Sequence, residues 1–431
     1  MAEPTIDELV PMLTSAITTE NVVELTKRLV KVPSVTGAEA ALCDVLAQEI
    51  SDVGFKPEIH QFAPGRPNVY GHRPSSSGPT PQLLLVGHVD TVNVRGWEGA
   101  WTDDPRADPF SATVVDGALW GRGVADQKGG IAAILVALRA LDQAGILPHV
   151  GIDLAFVGDE ESGEPSTGRS EGIKAYAASV RSGDLACPDF AVYTEPTALD
   201  IYTSQVGFVI GVISVQGEGS YFSRPWLGRD AIRGAHTLLT ALYEYESRVW
   251  SRARHPGVGR PSFVVTGITG GESVSVPATC ELSFIRTLLP GERLDEVRVD
   301  LEELLARAAI ERGVHAEISY MASRDHPIGG EPNEVDPDLP AVKHLQTCAR
   351  RFSAKADLTG APYWSELSIL SQLGVPGVYF GPGDIAVCHT PSEHVPLSDL
   401  VAAGRALAAF IATCSAHQIT ARAPDPRSAS T

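Results

Sequence analysis

A chain of 431 residues exceeds the usual size of a single hydrophobic core and predicts about two domains. Its composition is ordinary for a globular protein, 43% hydrophobic and 20% charged, but 53 Asp and Glu stand against 34 Lys and Arg, a formal charge of -19. That surplus argues against nucleic acid and anionic membranes as partners and leaves room for carboxylates gathered around cations.

The opening Met1-Ala2-Glu3-Pro4-Thr5-Ile6-Asp7-Glu8 has neither a basic start nor an apolar core, so no secretory leader is expected. The six cysteines are scattered without C-x-x-C spacing, as in a reducing compartment. No apolar run approaches the roughly 20 residues that span a bilayer. A cytoplasmic location is expected.

Residues 6–30 carry a helical pattern with Leu25, Leu29 and Val30 on one face, and a second helix is expected after Thr36-Gly37, with Leu42, Val45, Leu46 and Ile50 at helical spacing. Strand-like residues 56–62 and a Pro/Gly/Ser-rich turn at 74–79 precede Leu83-Leu84-Leu85-Val86. This apolar run, closed by Gly87-His88-Val89-Asp90, reads as a buried parallel strand whose C-terminal end points into a site. His88 and Asp90, two apart, project to one side of it. Residues 90–119 are loop-rich, with Trp97, Trp101, Asp103, Asp104 and Asp108. Long irregular stretches inside a compact domain are usually functional.

Gly121 to Gly130 runs into a helix at 131–144. It is not a phosphate loop, because Lys128 is followed by glycine and no glycine sits at the required offset. Asp126 lies at the mouth of that helix. The strand at 152–158 ends in Asp159-Glu160-Glu161, three adjacent carboxylates whose mutual repulsion is costly unless cations neutralise it. Another strand, Ala191-Val192-Tyr193, ends at Thr194-Glu195-Pro196.

After about residue 206 the texture changes. Strands at 209–215, 262–268, 278–288 and 315–321 with helices at 230–245 and 294–312 make a small α+β sandwich. The α/β pattern resumes with helices at 339–352 and 365–373 and a strand at 378–380. The loop Gly381-Pro382-Gly383-Asp384 then leads to His389-Thr390-Pro391-Ser392-Glu393, ahead of a last helix at 397–414. The polar tail from Gln418 onward is expected to be disordered. The fold class is therefore α/β: a discontinuous domain of residues 1–205 and 325–417 with a mostly parallel central sheet flanked by helices, and an inserted four-stranded, two-helix domain at 206–324.

The strand-end residues His88, Asp126, Glu161, Glu195 and His389 form a set of two imidazoles and three carboxylates. Such a set can hold two borderline divalent metals, leave positions open for water, and let one carboxylate bridge the pair. Together with Gly121-Arg122-Gly123, Lys128-Gly129-Gly130, Glu195-Pro196 and Gly381-Pro382-Gly383, these motifs resemble, in order and over nearly the whole chain, a di-zinc amidohydrolase and peptidase family. It includes aminoacylase, acetylornithine deacetylase, succinyl-diaminopimelate desuccinylase and glutamate carboxypeptidase. Gly270-Gly271-Glu272 ahead of Val276-Pro277, and Trp364, resemble the acetylornithine deacetylase-like branch.

The resemblance implies one metal on His88, Asp126 and Glu195 and a second on Asp126, Glu161 and His389, with Asp126 bridging. The metals implied are two divalent ions, Zn²⁺ first, with Co²⁺ or Mn²⁺ as alternatives. Asp90 would hold the His88 ring in its ligand tautomer, and Glu160 would be the general base that takes a proton from metal-bound water and passes it to the leaving amine. The inserted domain would be a lid and the contact of a homodimer, and the substrate a small N-acyl amino acid or related compound.

The chain departs from the family at the lid. Tyr221 stands where family members place a histidine that polarises the scissile carbonyl, Gly228-Arg229-Asp230-Ala231 replaces Gly-x-Asn-Ala, and Glu366 replaces an aspartate. Tyr221 can serve as a substitute donor, can mark a site turned to acyl transfer or amide formation, or can be lid packing; a shifted register would bring in His236 instead. A catalytically silent binding protein is a third reading of the scaffold. Arg286 lies where the family often binds a substrate carboxylate, with an ordinary strand arginine as the alternative.

Overall fold

The computed structural model describes residues 4–75, 81–146, 148–162, 167–252, 254–271 and 274–421. The branch marker Glu272 and the tail at 422–431 lie outside them. Two compact units result: Met1–Thr203 with Val335–Thr359 and Ile369–Thr431, and Ser204–Glu334 with Gly360–Ser368.

The first unit opens with two helices where one was expected. Ile6–Ala16 and Thr19–Val30 each begin in a capping box, Thr5 with Glu8 and Thr18 with Asn21. The second box satisfies amides that would otherwise continue the first helix, so the chain turns at the buried Ile17. The central sheet runs in the order Lys56–Ala63, Arg66–Arg73, Gly151–Val157, Gln82–His88, Phe190–Tyr193, Gly377–Tyr379 and then Ile201–Gln205. The middle four strands are mutually parallel; the two at one edge and Ile201–Gln205 at the other pair antiparallel with their neighbours. The Lys128–Gln143 and Leu397–Thr413 helices are apolar nearly all round and lie within the core. A Cβ on Gly130 would stand 2.4 Å from the Thr194 carbonyl, so only glycine lets the first of these helices start against the strand end that carries Glu195.

The loop-rich stretch is more ordered than its composition suggests. Thr113–Val115 and Ala118–Trp120 form a hairpin through Asp116 and Gly117, both at positive φ, and His394–Pro396 adds a third strand. Trp120 stacks on His394, and the Arg106 guanidinium lies 3.6 Å from the Trp101 ring centre.

In the second unit, Ser262–Gly270, Thr279–Leu288, Gly207–Gln216 and His315–Tyr320 form an antiparallel sheet in that order. Ala231–Trp250 and Leu294–Arg312 supply the rest of its core. Two expected boundaries change. Gly329–Gly330 pair with Val209 and Phe208, which keeps the chain in this unit as far as Glu334 rather than leaving at 325. At the C-terminus, Ala416–Thr420 is a helix capped by Ser415 with Ile419 fully buried, so the expected tail from Gln418 begins in packed structure.

Candidate metal centre

In parallel strands all C-terminal ends reach the same edge of the sheet, and four adjacent strands deliver chemistry there. His88 ends Gln82–His88, Glu160 and Glu161 follow Gly151–Val157, Glu195 follows Phe190–Tyr193, and His389 lies on the loop after Gly377–Tyr379. Asp126 stands just ahead of the Lys128–Gln143 helix, and its peptide bond to Gln127 is cis.

His88, Asp126, Glu161, Glu195 and His389 come together. His88 Nε2 is 2.9 Å from Asp126 Oδ1 and 4.0 Å from Glu195 Oε2, while His389 Nε2 is 3.2 Å from Asp126 Oδ2 and 3.0 Å from Glu161 Oε1. The two oxygens of Asp126 therefore face two different imidazoles. One donor atom from each of His88, Asp126 and Glu195 lies within 4.8 Å of the others, and the same holds for Asp126, Glu161 and His389 and for His88, Glu160 and Glu161. Four of the five are buried; His389 is exposed and Glu160 half-buried.

The electrostatics match that donor set. Burial opposes a charged His88 ring, but the hydrogen bond and charge of Asp126, with Glu195 and Glu160, hold its pKa well above 6.5. Burial likewise opposes charge on His389, which hydrogen bonds to Asp126 and Glu161 raise to about 11. Burial and the neighbouring charge of Asp126 push Glu161 up to about 8. The carboxylates of the set are thus balanced by protons on His88, His389 and Glu161, protons that divalent cations would displace.

The surrounding residues fix these groups from the backbone. His88 Nδ1 donates to the Asp90 main-chain carbonyl at 2.9 Å, leaving Nε2 toward Asp126. The Asp90 carboxylate, 3.8 Å from His88 Nδ1, was expected to orient the ring. It accepts from the amides of Glu161 at 2.9 Å and Glu160 at 3.3 Å and from Thr36 Oγ1 at 2.9 Å, so Asp90 holds the acidic turn with its carboxylate and the His88 ring with its main-chain carbonyl. Burial, with Glu39 and Glu160 adding to it against His88, pushes Asp90 up to about 7. Asp159 accepts from the amides of Gly168, Arg169 and Glu171 and pairs with Arg66 at 2.8 Å, which removes it from the cluster. Gln127 Oε1 accepts from the His88 amide and from Thr194 Oγ1, both at 3.2 Å.

Two expected site residues lie in the second unit. Tyr221 is exposed, its ring 4.5 Å from that of Phe222, and Phe222, Trp226 and Leu227 are exposed beside it in sequence. Arg286 is not available to a substrate carboxylate. It is fully buried on the core-facing side of Thr279–Leu288, pairs with Glu292 at 2.6 Å, and donates to the Thr287 carbonyl. Asp230 caps Ala231–Trp250 by accepting from the Arg233 amide at 3.1 Å, a task asparagine performs equally well, so its departure from the family pattern has a structural explanation.

A family model described as "Peptidase family M20/M25/M40" matches residues 84–413. Acetylornithine deacetylase of Proteus mirabilis is 30% identical over 388 residues, covering 87% of this chain and 92% of that protein. Among solved structures, aminopeptidase PepT from Bacillus cereus superposes with a TM-score of 0.72 at 18% identity, covering 92% of this chain and 99% of its own. Human carnosine dipeptidase 1 does so with a TM-score of 0.70 at 16% identity, covering 96% and 99%. Matched over most of its length by that model, the chain belongs to peptidase family M20/M25/M40.

Proposed function

We propose that the chain is a di-metal amidohydrolase that splits the amide bond of a small N-acyl amino acid or related compound. The observation that carries this reading is Asp126, with one oxygen 2.9 Å from His88 Nε2 and the other 3.2 Å from His389 Nε2. His88, Asp126 and Glu195 would hold one divalent ion, and Asp126, Glu161 and His389 the other, Zn²⁺ first with Co²⁺ or Mn²⁺ as alternatives. When bound, the metals supply Lewis acidity toward the scissile carbonyl and toward an attacking water. Glu160, half-buried beside the cluster, takes a proton as that water attacks and returns it to the leaving nitrogen. The Asp90 carboxylate keeps Glu160 and Glu161 in place through their amides. The similarity to an acetylornithine deacetylase favours an acyl group on an amino acid amine.

Tyr221 supplies a hydrogen bond to the developing oxyanion in place of the family histidine, and the exposed Tyr221, Phe222, Trp226 and Leu227 suit a homodimer built through the second unit. The same tyrosine favours a second reading, acyl transfer or amide formation on this scaffold. No further observation favours a silent binding protein.

The test is removal of metal with a chelator, return of Zn²⁺, Co²⁺ or Mn²⁺, and assay on N-formyl, N-acetyl and N-succinyl amino acids and short dipeptides. Activity should vanish and return. Full activity in metal-free protein overturns the reading, and condensation of acid with amine in place of hydrolysis selects the second one.

A further inference from the structure

The cluster explains five side chains but not the buried ion pair behind them. Glu393 is fully buried and Arg122 is 2% exposed, and the two carry opposite charges in direct contact. A buried pair is costly to keep unless its geometry serves something. Glu393 has a second set of partners: its Oε1 accepts from the amides of Gly123 at 2.8 Å, Ala125 at 3.2 Å and Asp126 at 3.2 Å. Three amides converging on one oxygen form an anion nest in the loop that ends at Asp126.

Glu393 also shares a short segment with His389, whose ring faces Asp126 Oδ2. The segment is anchored beyond Glu393 by the pairing of His394–Pro396 with Ala118–Trp120, and at Glu393 itself by the Gly121 amide on its carbonyl at 3.3 Å. One stretch of chain thus presents an imidazole to the Asp126 carboxylate and grips the Asp126 amide.

We infer that Glu393 is a positioning residue for the bridging carboxylate: its Oε1 fixes the Gly123-to-Asp126 backbone relative to His389, and Arg122 holds its other carboxylate oxygen. The inference rests on the di-metal reading of Asp126. It assigns the shape of the loop to the carboxylate oxygen rather than to the net charge of the pair.

The test is competition titration of the metal-free full-length protein with Zn²⁺ against a chromophoric chelator, alongside the visible absorption of the Co²⁺ form and the melting temperature of the metal-free form. Arg122→Met/Glu393→Gln keeps an oxygen for the amides and removes both charges, and should bind both equivalents within about threefold of wild type. Glu393→Asp keeps the charge but withdraws the oxygen by one methylene, and Arg122→Met/Glu393→Ala removes it. Both should bind about 10- to 100-fold more weakly, with an altered Co²⁺ band. A variant that is only less stable melts lower with unchanged affinity and spectrum. If the alanine double variant does not fold, Glu393→Asp decides alone. Unchanged affinity in Glu393→Asp, or an equal loss in the glutamine double variant, overturns the inference. Wild type that takes up no metal overturns the di-metal reading instead.

Discussion

Among the described residues each unit buries one arginine against a glutamate, and the two pairs do different work. In the first, Arg122 contacts one oxygen of Glu393, and Glu393 spends the other on the backbone that carries Asp126. In the second, Arg286 and Glu292 close the turn after Thr279–Leu288, where Glu292 also accepts from the Leu289 amide at 2.8 Å. The chemistry of the pairs is the same. Their consequence depends on what the carboxylate holds: a loop at the C-terminal edge of a parallel sheet, or the end of an antiparallel strand. The first unit concentrates buried charge at its strand ends, whereas the second carries one of its departures from the family pattern, Tyr221, on an exposed aromatic stretch.

The largest effect should come from the first unit. Glu160→Gln removes the proton carrier without touching the five clustered residues, so kcat should fall by about 10²- to 10⁴-fold while both metals still bind. Steady-state rates and metal content on one preparation check this, and an unchanged kcat would remove Glu160 from the reaction. Arg286→Met tests the contrast from the other side. Removing the buried Arg286 leaves Glu292 with Arg252 as its remaining cation and costs about 1–3 kcal/mol of stability in lost buried hydrogen bonds. Denaturant melts should show that loss, and the folded fraction should keep its KM. A raised KM with unaltered stability would return Arg286 to the substrate.

Tyr221 ranks next. If its hydroxyl serves an oxyanion, Tyr221→Phe should lower kcat by about 100- to 1,000-fold, with no change in melting temperature because the residue is exposed. Tyr221→His should raise hydrolysis above wild type if the tyrosine restrains the site. Rates within twofold of wild type in both variants would leave Tyr221 without a part in the reaction.

What the sequence disclosed divides along physical lines. Four of the five clustered residues are legible because each directly follows, or stands beside, a local pattern, namely an apolar run, a glycine-rich helix start or an acidic strand end, whereas His389, on the loop after Gly377–Tyr379, is legible through the family resemblance. Missing from the expected elements are the Arg66–Arg73 strand, whose register comes from antiparallel neighbours, and the Glu171–Ser182 helix, which follows the acidic turn. The 113–120 hairpin carried a readable sign, Asp116-Gly117 between two short apolar runs. Arg286 carried one as well. Cys280, Leu282, Phe284, Arg286 and Leu288 alternate along one strand and are all buried, so strand periodicity puts the arginine in the core. The partners of Asp90 and Glu393 had no such sign, since the donors to their carboxylates are chiefly backbone amides brought close only by the fold.

The smallest effect concerns protons, and it separates the two ways of balancing buried charge. In the second unit Glu292 is balanced by an arginine that stays charged at every accessible pH, so nothing there should titrate with metal. In the first unit the metal-free carboxylates are balanced by protons. At pH 7 His88 and His389 are held charged, and Glu161, raised to about 8 by burial and Asp126, also keeps its proton. Metal ligands must give up those protons, so Zn²⁺ affinity should rise with pH, by about tenfold per pH unit for each proton displaced. The sign follows from the raised values: below about pH 8 the metal must expel the Glu161 proton, and above it that proton has already left. The slope of log affinity against pH should therefore drop by one near pH 8. Calorimetric titrations in buffers of different ionisation enthalpy count the released protons directly. A heat independent of buffer would mean that the cluster meets its metals already deprotonated, and the carboxylate surplus would then need a cation other than the proton in the metal-free state.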